Sequence, residues 1–180
     1  MKKMGSNEVK NWLLEMFKTI AISVILVFLI TTFIFKPVRV DGSSMYPTLQ
    51  DGSVALAGVI TLNNGISRFD VVTIYLDFKD EYLVKRVVGL PNEEIAFKNN
   101  ILYVNGEEIA EDFLNSKFDS NFSTYTEDFS VKLGENEYFC LGDNRLNSLD
   151  SRKYGPFSLN QIKSEGLFIL LPFNRIGVVK

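Results

Sequence analysis

EYLVKRVVGL, residues Glu81–Leu90, is an apolar, β-branched run with two cations in its middle. Residues of this kind favour the pleated, packed surface of a strand. Alternation puts Leu83, Lys85 and Val87 on one face and Val84, Arg86 and Val88 on the other. Both faces are otherwise greasy, and the two cations face opposite ways, so only one of them can point to water from a half-buried strand.

Outward from this run the pattern stays β. FDVVTIY (Phe69–Tyr75), EIAF (Glu94–Phe97), ILYV (Ile101–Val104), EYFCL (Glu137–Leu141) and GLFILL (Gly166–Leu171) are short β-branched or aromatic runs. Asn99-Asn100 and Asn105-Gly106 are hairpin turn signals. Pro172 ends the last run, which is too short to span a membrane. Glu111–Asp128 is polar, rich in Phe, Ser and Asn, and reads as a loop excursion. No repeat is visible. The expectation is a mainly β domain covering residues 36–180.

In front of this domain lies TIAISVILVFLITTFIF, Thr19–Phe35, seventeen residues without a charge between Lys18 and Lys36. That is the short end of a transmembrane span. Leu13, Leu14, Met16 and Phe17 extend its apolar face, and Trp12 suits an interfacial anchor. Large residues at the exit, TTFIFKPVRV, argue against signal-peptide cleavage. The expected organisation is a cytoplasmic tail (1–18), an uncleaved anchor (19–35) and an extracytoplasmic domain (36–180). Lys2, Lys3, Lys10 and Lys18 set this orientation by the positive-inside rule, and Lys36 and Arg39 weaken the asymmetry a little.

Charge and composition exclude several functions. Of the net −3, residues 1–36 carry +3 and residues 37–180 carry −6, so the acidic body argues against nucleic acid as the principal partner. The 180 residues contain no histidine and one cysteine, Cys140. That rules out an intrachain disulfide, a Ser-His-Asp triad, a Cys-His dyad and the histidine-based zinc sites. No carboxylate pattern suggests a metal, and no cofactor is expected. Cys140 reads as a buried small apolar residue.

Two polar stretches carry the remaining chemistry. VDGSSMYPTLQDG, Val40–Gly52, places Ser43 and Ser44 in a bend that Gly42 and Pro47 favour. If either serine attacks, its proton must go to an Asp, a Glu, a Tyr or an unprotonated Lys. Lys85 is the one lysine inside an apolar strand run, where burial disfavours the charged form. GDNRLNSLDSRKYG, Gly142–Gly155, is dense in Asp, Ser and Arg. It reads either as a polar network tying loops together or as a solvated turn.

GSSMYPTL, RFDVV, KRVVGLP and GDNRLNSLDSR, in this order behind one span, resemble the boxes of the type I signal peptidases, in the small single-anchor Gram-positive form. The resemblance implies Ser44 as nucleophile and Lys85 as general base. It also implies Ser148 as a residue orienting the lysine, and Asp143, Arg145, Asp150, Arg152 and Arg86 as supports. Gly42, Ser43 and Met45 then form the substrate and oxyanion neighbourhood. The implied fold is a β catalytic domain that binds secretory pre-proteins as an added strand at the membrane and cleaves after small residues at −1 and −3. Two departures stand out. Many relatives have a Ser two residues before the nucleophile, where this chain has Gly42, so the oxyanion site lacks that hydroxyl; Ser43 is one substitute. Asn92-Glu93 replaces the usual Gly-Asp after GLP, and a preserved turn is expected.

Overall fold

The computed structural model describes residues 6–58, 65–115 and 125–179. Lys2 and Lys3, and residues 116–124 of the polar excursion, lie outside them.

The chain opens with α1 (Ser6–Phe33), longer than the charge-free segment, because Trp12, Leu13, Leu14, Met16 and Phe17 continue the apolar surface over its first turns. Apolar side chains along α1 are exposed on every side, as a membrane-crossing helix requires and a core helix would not tolerate. A single residue, Ile34, separates α1 from β1 (Phe35–Arg39). Phe35, expected in the helix, is therefore the first residue of the sheet.

Among the described residues, eleven further strands follow: β2 (Val54–Gly58), β3 (Val71–Leu76), β4 (Glu81–Gly89), β5 (Glu94–Lys98), β6 (Ile101–Val104), β7 (Glu107–Ile109), β8 (Phe129–Lys132), β9 (Glu137–Leu141), β10 (Phe157–Ser158), β11 (Ile162–Leu171) and β12 (Gly177–Val178). Short helices α2 (Asp112–Asn115) and α3 (Ser151–Tyr154) interrupt them. The fold is mainly β, as expected. One antiparallel sheet runs β1-β2-β11-β3-β4-β9-β10, with β12 on β11; a smaller one runs β7-β6-β5-β8.

The hairpin signals hold because they are local. Asn99 and Asn100 both take positive φ, as do Asn105 and Gly106, which is what a tight two-residue turn matched to strand twist demands. Asn92 also has positive φ (67°), and the Glu93 carboxylate accepts the Leu90 N–H at 2.6 Å and pairs with Arg68 at 2.5 Å. The Asn-Glu replacement thus keeps the turn, and its carboxylate closes it.

Some boundaries shift. Phe69 sits at φ 72°, so β3 begins at Val71, although the Phe69 N–H still reaches the Val87 carbonyl at 2.7 Å. The expected strand at Gly166–Leu171 begins earlier, at Ile162, and Gly166 (φ 70°) lies at a register shift against β2.

Among the described residues, three apolar clusters hold the domain. One lies around Val72, Ile74, Val87, Cys140 and Phe157, and a second around Met45, Leu49, Ala55, Val71 and Ile169. The third joins the two sheets through Val88, Phe139 and Leu141 on one side and Ile95, Phe97 and Leu102 on the other. Gly89 makes that junction close. A Cβ there would lie 2.6 Å from Ile95 Cγ1 and 2.8 Å from Leu133 Cδ1. Overpacking of this kind costs about 1–3 kcal/mol. Gly89→Ala is therefore expected to lower unfolding free energy by about that amount in urea titration, with the denaturant slope unchanged.

Candidate active site

The loop after β1 is closed at its base by reciprocal bonds from Val40 N–H to the Ser53 carbonyl and from Gly52 N–H to the Val40 carbonyl, both 2.8 Å. Its side chains Met45 and Leu49 sink into the second cluster and pin it to the sheet. Gly42 takes φ 89° and donates its N–H to Asp51 Oδ1 at 2.8 Å. Ser43 and Ser44 ride on the fixed turn between these anchors.

Lys85 lies on β4 opposite this turn, with its Nζ 2.8 Å from Ser44 Oγ and 2.9 Å from the Val84 carbonyl. The side chain is only 2 % exposed. Burial lowers its pKa to about 8, against weaker upward pulls led by Asp150. At pH 7 about one lysine in ten is then neutral and able to accept a proton. A serine hydroxyl and a partly deprotonated amine at hydrogen-bond distance can together generate a nucleophile.

Arg86, on the opposite face, is no more exposed than Lys85, at 1 %. Neither cation points to water, because β4 is covered on both sides. Arg86 forks onto Asp143 (Nε–Oδ1 and Nη2–Oδ2, both 2.9 Å), donates to the Phe69 carbonyl at 2.7 Å and stacks 4.1 Å over the Phe113 ring. Thr48 donates to the same Asp143 carboxylate at 2.5 Å, tying the serine loop to it.

Gly142–Gly155 is a network rather than a solvated turn. Asp150 accepts the Gly142 N–H at 3.0 Å and the Arg152 guanidinium at 2.8 and 2.9 Å. Burial pushes its carboxyl up, but Arg152, the Gly142 N–H and nearby Ser148 outweigh that and hold it below the usual range. Arg152 also donates to the Arg145 carbonyl at 2.7 Å. Arg145 pairs with Glu111 and donates to Thr126 and to the Gly142 carbonyl.

Ser148 stands within the same network. Its Oγ is buried beside Gly142 and Asp150 and makes no hydrogen bond of good geometry among the described residues, to Lys85 or otherwise. The Lys85 amine is held instead by Ser44 and the Val84 carbonyl. Gly142 permits the packing: a Cβ there would come within 2.6 Å of both the Ser44 carbonyl oxygen and Ser148 Cβ. Cys140 is fully buried, its thiol pushed up by burial, and its N–H donates to Ser151 Oγ at 2.9 Å.

Two residues next to the expected ones also reach the loop. Asn144 donates to the Ser43 and Ser44 carbonyls, and Asn147 Nδ2 donates to Ser43 Oγ at 2.6 Å. Both stood in the polar stretch but carry no titratable group to draw attention. A groove of about 580 Å³ leads away from Ser44, walled by residues 36–41 on one side and 80–85 on the other. Among the described residues each wall is a strand with a free edge: β1 pairs only with β2, and β4 pairs with β9 only from Arg86 onward.

The profile of the family described as "Signal peptidase, peptidase S26" matches residues 13–171. The chain belongs to this family of serine peptidases. It is 41% identical over 174 residues to "Signal peptidase I S" of Bacillus subtilis, covering 93% of this chain and 94% of that one. To "Signal peptidase I T" of the same organism it is 39% identical, covering 94% and 91%. A crystal structure of a signal peptidase I from Enterococcus faecalis matches with a TM-score of 0.49 and 30% identity, over 56% of this chain and 95% of that one.

The buried amine has a thermodynamic signature. With its pKa lowered from 10.5 to about 8 in the fold, Lys85 binds fewer protons folded than unfolded between these values, so stability rises with pH across that window. Below about pH 8 the whole penalty is present, at most about 3 kcal/mol. Lys85→Met is expected to raise the melting temperature at pH 7, with the gain shrinking as pH rises through that window, in scans of the detergent-solubilised protein.

Proposed function

We propose that this chain removes N-terminal signal peptides from secretory pre-proteins, with Ser44 as nucleophile and Lys85 as general base. The observation that carries the reading is the 2.8 Å contact between Ser44 Oγ and a lysine amine that burial has made partly neutral. Family membership supplies the substrate class.

The pre-protein lies extended in the groove and adds a strand between the free edges of β1 and β4. Side chains two apart on a strand face the same way, so in this reading the −1 and −3 residues share one side, and a close wall there selects small residues at both. Lys85 takes the Ser44 proton as Oγ attacks the scissile carbonyl. The amine of the mature protein departs with a proton from Lys85, and Lys85 then activates water to release the acyl-enzyme.

The apolar helix α1 fits a single-pass anchor. With the N-terminal lysines cytoplasmic, the catalytic domain is extracytoplasmic, and enzyme and signal peptide share one membrane surface. That raises their effective concentration and limits the approach of the cleavage site.

Purified full-length protein in detergent, given a labelled pre-protein, tests the reading. Wild type is expected to cleave after a small-x-small sequence, seen by mass spectrometry, and Ser44→Ala and Lys85→Ala to lose at least about 10³-fold in kcat/KM. Near-wild-type cleavage by Lys85→Ala would remove the base assignment. Since the ammonium must lose its proton first, kcat/KM is expected to climb tenfold per pH unit below about 8 and level off above it.

A further inference from the structure

Gly42 leaves open what receives the negative oxygen when Ser44 attacks. Residues Ser43 to Tyr46 form a turn in which the Tyr46 N–H donates to the Ser43 carbonyl at 3.0 Å. Two more donors hold this turn from one side, and both belong to Asn144: its Nδ2 donates to the Ser43 carbonyl at 3.1 Å, and its backbone N–H to the Ser44 carbonyl at 3.0 Å. Asn144 is buried, and its own carbonyl accepts the Asn147 N–H at 3.0 Å. One fixed residue therefore grips two successive carbonyls of the serine turn.

The peptide bonds at 43–44 and 44–45 are trans, and in a trans unit the N–H points opposite to the C=O. The Ser43 carbonyl shares its unit with the Ser44 N–H, and the Ser44 carbonyl with the Met45 N–H. Holding both carbonyls toward Asn144 turns both N–H groups to the other side. Neither N–H donates a hydrogen bond among the described residues. Adjacent backbone N–H groups facing one way make a concavity for an anionic oxygen, and here the Ser44 hydroxyl springs from the residue between them. The Ser43 hydroxyl, which accepts from Asn147 at 2.6 Å, is tied to the neighbouring loop instead.

We infer that the backbone N–H groups of Ser44 and Met45 together bind the oxyanion, and that Asn144 is the positioning residue that aims them. The inference rests on Ser44 being the nucleophile. As Ser44 Oγ bonds to the scissile carbon, the carbonyl π pair moves onto its oxygen and the serine proton passes to Lys85 Nζ. The two N–H groups stabilise that oxygen until the C–N bond breaks and the amine leaves with the proton. The second donor that a side chain would supply is thus a backbone one, and no hydroxyl at position 42 is needed.

Two changes to the full-length protein in detergent separate this from a structural role. One is Asn144→Asp, which keeps shape but replaces the amide donor with an oxygen. The other is an amide-to-ester exchange that removes the Met45 N–H and leaves every side chain in place. The readouts are kcat and KM for a peptide spanning a cleavage site, the pH profile, and the affinity of a peptide boronate that forms a tetrahedral adduct on serine. Loss of one oxyanion donor lowers kcat about 10²–10³-fold, which is the expectation for the ester; about 10–100-fold is expected for Asn144→Asp. KM should stay within about twofold, the rise near pH 8 should not move, and boronate affinity should fall in step with kcat/KM. An ester variant with near-wild-type kcat overturns the inference, as does a loss carried by KM or a displaced pH profile. If Asn144→Asp does not fold, the ester decides alone. Wild-type cleavage of the same peptide, run alongside Ser44→Ala, keeps the two questions apart: inactive wild type defeats the parent reading, whereas active wild type with unaffected variants defeats only this one.

Discussion

An ammonium group loses most of its hydration when a protein closes around it, and the arrangement near Lys85 follows from that cost. Of the acidic side chains that raise the lysine pKa, led by Asp150 and including Glu81 and Asp143, two are buried with it, Asp150 and Asp143. Each is already engaged by an arginine fork, Asp150 by Arg152 and Asp143 by Arg86. The arginines of the polar loop and of β4 thus hold the acids in geometries that spend their charge elsewhere. The lysine is left with a hydroxyl and a carbonyl, partners that do not oppose deprotonation as a carboxylate would.

That isolation needs β4 to be covered on both faces, and the fold provides the cover through two close approaches. At Gly89 the smaller sheet comes down on the end of β4, and at Gly142 the polar loop comes down on the serine turn. In both places a side chain as small as alanine's would hold the surfaces apart. The same strand that buries its second half leaves its first half free at one edge, where it faces the free edge of β1 across the groove. One strand therefore carries both the dry end and the open end of the site.

What could be read from the sequence was whatever depends on neighbours along the chain. Asn99-Asn100, Asn105-Gly106 and Asn92 announced their turns because the left-handed backbone is a property of the residue itself. β1 and β2 were not legible: Pro37 and flanking cations disguise the first, and Val54–Gly58 is half alanine and glycine. The pairing of Arg86 with Asp143 spans 57 residues and could only be implied through resemblance. Alternation allowed at most one of Lys85 and Arg86 to reach water; that neither does was not legible, because alternation along a strand contains no information about a second sheet. Ser44 could not be told from Ser43 by spacing, and Asn144 acts on main-chain carbonyls, an effect with no pattern in side-chain type. Ser148 Oγ lies buried with no hydrogen-bond partner of good geometry among the described residues, a detail of packing that its place in the chain does not announce.

Cys140 sits at the centre of the first apolar cluster, sealed from solvent and alone. Everything that ties β9 to its neighbours is backbone pairing, packing and ionic forks. With one cysteine in the chain, the domain closes without an intrachain disulfide. Wherever the chain folds, it reaches its working shape with no pair of its own thiols to oxidise or isomerise.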